Sequence, residues 1–85
     1  MMKERIETIE KFVRARDAFS QGDTNTMVQI CDSLINTPGV DEAIRLGDVF
    51  AQVIEFYNQN RDFQKAYTYI EKMRKKNIII TPYLD

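Results

Sequence analysis

Histidine and tryptophan are absent from this 85-residue chain, and cysteine occurs once. Without histidine the chain lacks the side chain that ordinarily titrates near neutrality and the commonest metal ligand. The lone Cys31 can close no internal disulfide, which fits a reducing cytoplasmic setting. It has no Cys or His partner at metal-ligand spacing. A glycine-rich phosphate loop and a Cys–His arrangement are also missing. No stretch approaches the roughly 18 consecutive apolar residues of a membrane span. Charge sits at the N-terminus, where a signal peptide needs an apolar core. These absences predict no catalytic, cofactor or metal site, no direct membrane insertion, and a soluble intracellular protein.

Charge of one sign is scarce too. The formal net charge is −1 and the isoelectric point about 5.4, whereas a nucleic-acid binder needs a strongly basic face. The balance is uneven along the chain. Residues 1–22 carry five basic and four acidic groups, residues 23–55 one and six, and residues 56–85 six and three. The middle is acidic and the end basic.

Only three glycines and two prolines occur, and they fall where helices would break. From about Met2 to Gln21, Ile6, Ile9, Phe12 or Val13, and Phe19 form an apolar stripe. Glu7–Lys11 and Glu10–Arg14 stand i,i+4 in the favourable order, worth roughly 0.3 kcal/mol each. Gly22 supplies a stop, and Asp23 or Thr24 a cap for the next helix. That helix, near Thr24–Asn36, has the cleanest period: Met27, Ile30, Cys31, Leu34 and Ile35 recur at i, i+3, i+4, i+7 and i+8. Thr37-Pro38-Gly39 ends it.

A third helix is expected from Asp41 to about Asn60, with Asp41 and Glu42 favouring its N-terminus. Ile44, Leu46, Phe50, Val53, Ile54, Phe56 and Tyr57 cover more than one stripe, so this helix should lie between others. Gly47 inside it is read as a site of close helix approach. A fourth helix, Asp62 to Lys76, should turn Phe63, Ala66, Tyr67, Ile70 and Met73 inward. Lys72, Arg74, Lys75 and Lys76 would then complement the negative end of its dipole. The short segment Asn77–Pro82, rich in β-branched residues, would form an extended strap on the bundle or the start of a further element.

The run Asn60-Arg61-Asp62-Phe63-Gln64-Lys65-Ala66-Tyr67 combines a polar turn, an aromatic and a small residue at tetratricopeptide spacing. Gly22-Asp23 and Arg61-Asp62 lie 39 residues apart, against a tetratricopeptide period of ~34. Aligned on Ala66, Phe50 and Tyr57 take large positions of the preceding helix, while Ile54 and Met73 stand where small residues are usual. The expected fold is therefore all-α. It consists of two antiparallel helical hairpins of a degenerate TPR-like solenoid, about 2–36 and 41–76, with a tail over 77–85, all within a single unit of residues 1–85.

Three segments support a narrower likeness: Ile30-Cys31-Asp32-Ser33-Leu34-Ile35, Val40 through Phe50, and Ala66 through Lys75. Together they resemble the C-terminal helical-repeat tail of the core subunits of intraflagellar transport complex A that weigh about a hundred and forty kilodaltons. The order Ile44-Arg45-Leu46-Gly47-Asp48-Val49-Phe50, followed by Ala66-Tyr67-Thr68-Tyr69-Ile70-Glu71-Lys72-Met73-Arg74, is the distinctive part. The resemblance implies a scaffold in ciliary retrograde transport and cargo import, partnered by other subunits and located at the cilium, flagellum and basal body. The sequence departs from it after Lys76.

Candidate partner-binding residues fall in three groups. Asp48, Glu55, Asn58 and Gln59 would line the inner face of the third helix, an acidic groove without the cationic clamp that grips acidic peptide termini. Lys72, Arg74, Lys75 and Lys76 read by default as a solvated basic end; as a binding site they would meet an acidic protein surface. Ile78, Ile79 and Ile80 would be an aggregation liability if bare and should dock on the bundle, on a following repeat or on a second copy. Asp41, Glu42 and Asp48 read as helix caps and Cys31 as a small core residue. A stand-alone peptide-groove module is the alternative to the scaffold, and a DNA-binding helical domain the least favoured. Since about three repeats are normally needed to close such a stack, the isolated chain should homodimerise or be weakly stable.

Overall fold

In the computed structural model, which describes residues 2–78, the elements are α1 (Met2–Ser20), α2 (Thr24–Ile35), a 3-10 turn (Val40–Glu42), α3 (Leu46–Gln59) and α4 (Phe63–Lys75). The described residues contain no strand, and the chain is the all-α, TPR-like helical unit that its periodicity implies. Ile79, Ile80 and the rest of the expected tail lie outside the described residues.

Three helix ends are closed by one device. After α1, Gly22 takes a left-handed φ of 82°. Asp23 N–H donates to Ala18 C=O at 2.8 Å and Gly22 N–H to Phe19 C=O at 3.1 Å. This is the Schellman pair, which satisfies carbonyls that a helix end leaves unpaired. Arg61 repeats it after α3 with φ 59°, with Asp62 N–H donating to Tyr57 C=O and Arg61 N–H to Asn58 C=O. Asn77 does so after α4, also at φ 59°, where Ile78 N–H reaches Met73 C=O. At the first two ends an aspartate follows and caps the next helix. Asp23 Oδ1 accepts from Thr26 N–H and Asp62 Oδ1 from Lys65 N–H, both at 3.3 Å. The two corners therefore share one geometry although their sequences share only the aspartate.

The third helix begins later than expected. Val40–Glu42 is a 3-10 turn entered through Gly39 at φ 78°, and α3 starts only at Leu46. Asp41 still caps it, across the break: its Oδ1 accepts from Leu46 N–H at 3.2 Å. Val40 is buried, anchoring the loop, while Arg5 Nη2 donates to Glu42 C=O at 2.9 Å. Gly47 consequently stands in the first turn of α3, not in its interior.

Packing runs α1 on α2, α2 on α3 and α3 on α4. Phe19 meets Phe56 edge-on at 6.2 Å, tying α1 to α3. Tyr69 Oη donates to Asp32 Oδ1 at 2.5 Å, tying α4 to α2. This zigzag places α1 and α3 on one side and α2 and α4 on the other. The extents of 37 × 30 × 18 Å agree with a slab two helices thick. The core holds Met27, Cys31, Leu34 and Ile35 of α2, and Leu46, Val49, Phe50, Val53 and Ile54 of α3. Ile54 and Met73, the bulky departures from repeat spacing, are both fully buried.

The outer helices depart from the inward faces read in their sequences. In α1 the buried residues are Ala15 and Ala18, with Phe12 and Phe19 half-buried, while Ile6, Ile9 and Val13 are 50%, 44% and 49% exposed. In α4 the inward set is Ala66, Tyr69 and Met73, with Ile70 half-buried, and Phe63 and Tyr67 are 62% and 58% exposed. Each outer helix carries two apolar faces, and the neighbour inside can cover only one. Nor do the expected pairs Glu7–Lys11 and Glu10–Arg14 close. The ion pairs found among the described residues are Arg74–Glu71 at 3.2 Å and Lys65–Asp62 at 3.9 Å.

Candidate functional site

Because α1 and α3 lie side by side, the slab has a groove on that face, with a cavity volume of about 680 Å³. Its floor is Phe12, Val13, Phe19 and Ala51, and Gln52 lines its wall. Asp17 and Ser20 approach from α1, and Asp48 and Glu55 from α3. Spacing explains the α3 wall: Asp48 and Glu55 are seven residues apart, which returns them to one helix face about 10.5 Å apart along the axis. Both are exposed, as is Asp17. Arg16, the groove's cation, lies over the Phe12 ring at 6.0 Å from its centroid.

The structure separates the residues grouped by sequence. Gln59 continues the Asp48–Glu55 face, its Nε2 donating to Glu55 Oε1 at 3.2 Å. Neither Gln59 nor the half-buried Asn58 lines the groove. The basic residues at the end of α4 lie away from it. Lys72 Nζ sits 5.0 Å from the Tyr69 ring centroid, Arg74 pairs with Glu71, and Lys75 and Lys76 are exposed. Ile78 is half-buried against the core; Ile79 and Ile80 lie outside the described residues.

Sequence reasoning missed the α1 wall of the groove, because Phe12 and Val13 read as packing residues and nothing in the pattern singles out Arg16 or Asp17. It also missed a row of rings across the corner end of the slab. Phe19 meets Phe56, Phe56 meets Tyr57 at 4.9 Å, and Tyr57 stacks on Tyr69 at 5.7 Å with planes 22° apart. Tyr69 is nearly buried. Burial, then the hydrogen bond to Asp32, pushes its hydroxyl well above the usual phenol range. Cys31 is fully buried, with Sγ 3.8 Å from Met27 Sδ and 3.7 Å from Gln52 Oε1. Desolvation, with Asp32 beside it, lifts the thiol to about 12, so it is an inert core side chain at neutral pH.

Among the described residues, no group of three His, Cys, Asp or Glu is placed to hold a metal ion, and no helix is long and apolar enough to cross a membrane. What the molecule offers a partner is surface: the groove, and the two bare apolar stripes on α1 and α4. Residues 1–74 match the family of the C-terminal TPR domain of the hundred-and-forty-kilodalton intraflagellar transport subunit.

Proposed function

Since the chain belongs to the family of that subunit's C-terminal TPR domain, we propose that it is a non-catalytic scaffold segment of intraflagellar transport complex A, acting in ciliary retrograde transport and cargo import. Its work is to be packed against. The observation that carries this is the pair of bare stripes at opposite ends of one stack: Ile6, Ile9 and Val13 on α1, and Phe63 and Tyr67 on α4. Helical repeats bury a continuous core only when neighbours cover such faces. Adjoining repeats or other subunits of the complex supply that cover. The domain is taken as residues 1–85, with hairpins over about 2–36 and 41–76. The basic end, Lys72, Arg74, Lys75 and Lys76, is proposed to meet an acidic protein surface, and Ile78–Ile80 to dock on the bundle, on a following repeat or on a second copy.

Affinity capture from ciliated cells tests this proposal, using the chain as it stands and the variants Ile9→Glu and Tyr67→Glu. Both changes lie on exposed positions and should leave the helical circular dichroism intact. The unaltered chain should recover subunits of the transport complex, and each variant should lose them. Recovery that neither variant weakens would overturn the assignment of the end faces. In dilution-series light scattering the isolated chain should self-associate, and the same variants should hold it monomeric.

A further inference from the structure

The groove between α1 and α3 shares only Val13 with the end faces, so it can be argued separately. Its apolar floor is partly exposed, Val13 most of all, and three carboxylates, Asp17, Asp48 and Glu55, surround it. None of the three stands within ion-pair distance of a cation among the described residues. Arg16 is committed to the Phe12 ring, and Glu55 takes only the neutral amide of Gln59. The groove thus holds a net negative charge beside a partly exposed apolar surface. An occupant that satisfied both would carry cationic groups on either side of an aliphatic side chain.

We propose that this groove binds a basic polypeptide segment of a partner protein, with an aliphatic side chain seated on Phe12, Val13, Phe19 and Ala51 and flanking Arg or Lys residues paired with Asp48 and Glu55. The carboxylate spacing sets the register. Two turns of α3 separate Asp48 from Glu55 by about 10.5 Å. Cations three positions apart in a polyproline II segment return to one face and span a similar ~9 Å. A planar guanidinium meets a carboxylate with two parallel hydrogen bonds, which makes arginine the better flanking residue. Acidic peptides and nucleic acid carry the wrong sign and are repelled from the same surface.

The test is fluorescence anisotropy of a short labelled, amidated peptide in which two arginines three positions apart flank a leucine, titrated with the 85-residue chain. A peptide with glutamates for the arginines, and one with serine for the leucine, serve as comparisons. The chain variants are D48N/E55Q, which neutralises the α3 wall, and E7Q/E10Q, which makes the same charge change on exposed α1 positions outside the groove. The arginine peptide should bind, more weakly as salt rises, and both comparison peptides should bind more weakly. D48N/E55Q should lower its affinity roughly tenfold, and E7Q/E10Q should leave it unchanged. Circular dichroism should show both variants folded, because all four side chains are exposed. Failure of the arginine peptide to bind would overturn the proposal. So would equal binding of the glutamate peptide, or equal effects of the two variants. None of these outcomes touches Ile9 or Tyr67, so the end-face proposal stands or falls elsewhere.

Discussion

The two hairpins share a corner and differ in what they bury. Both turn through a left-handed residue into an aspartate cap, with backbone bonds that superimpose in kind: Asp23 to Ala18 and Asp62 to Tyr57. Yet α1 contributes alanines and half-exposed phenylalanines to the interior, whereas α3 contributes five fully inward aliphatic and aromatic residues. The lesson is that corner chemistry sets the path of the chain, while the interior is set by which helix has neighbours on two sides. In this stack α3 is held between α2 and α4, and α1 is covered on one side only.

The largest expected effect sharpens that contrast. Phe50→Ala removes the largest fully buried side chain from α3 and should cost about 3–5 kcal/mol. Phe12→Ala, the same change at a half-buried position of α1, should cost about 1 kcal/mol. Urea midpoints read both, and equal losses would mean that the hairpins share the core evenly.

Much of the architecture could be read in advance because its signals are local. Gly22, Pro38 and Gly39 mark breaks, the α2 period from Met27 to Ile35 has a single solution, and Asp23 and Asp62 announce caps. The faces of α1 and α4 could not be read so. In α4 one stripe, Phe63-Tyr67-Ile70, competes with another, Ala66-Tyr69-Met73, and both have helical spacing. Hydrophobicity alone favours the first stripe, whose Phe63 and Tyr67 are exposed and whose Ile70 is only half-buried. The buried stripe is decided by the Tyr69–Asp32 hydrogen bond and by the close approach that Ala66 allows, and both are tertiary facts. The groove divided in the same way: its α3 wall showed in the i,i+7 carboxylates, while its α1 wall depends on which helix lies beside α3. The start of α3 was misplaced because Asp41 caps at a distance of five residues, through a loop, where sequence suggests an adjacent helix.

Alkaline titration tests the hairpins through one buried group in each. The Cys31 thiol, in α2, is raised from 9.0 to about 12 in the folded chain. Its contribution is therefore intact below pH 9 and is lost as pH climbs toward 12. Across that window the folded state should weaken by up to ~1.4 kcal/mol per pH unit. Tyr69, raised from its ordinary 10.0, acts in the same direction at higher pH. Cys31→Ala should flatten the loss between pH 9 and 10, leaving the steeper fall above 10 to the tyrosine. An unchanged profile would show that the thiol is solvated.

On the α2–α4 side the Tyr69–Asp32 hydrogen bond links the two hairpins. Tyr69→Phe keeps the ring that stacks on Tyr57 and deletes the donor to Asp32, which is itself half-buried. A loss of ~1–2 kcal/mol is expected. Asp32→Asn leaves an acceptor in place and should cost less. If both changes cost nothing, the hydroxyl adds nothing to the α2–α4 seam and ring packing alone holds it.

The smallest effect separates the corners themselves. Gly22 and Arg61 occupy equivalent left-handed positions at φ 82° and 59°, but arginine bears a steric penalty there that glycine does not. Arg61→Gly should therefore stabilise the second hairpin by roughly 0.5–1 kcal/mol, the relief offset in part by the greater freedom glycine gives the unfolded chain. Gly22→Ala should destabilise the first by a similar amount, although open space surrounds the added methyl. The paired shifts, opposite in sign and measured as denaturation midpoints, isolate backbone conformation from packing, because neither side chain belongs to the core. Shifts of the same sign would mean that the corners, despite matching hydrogen bonds, are held by different forces.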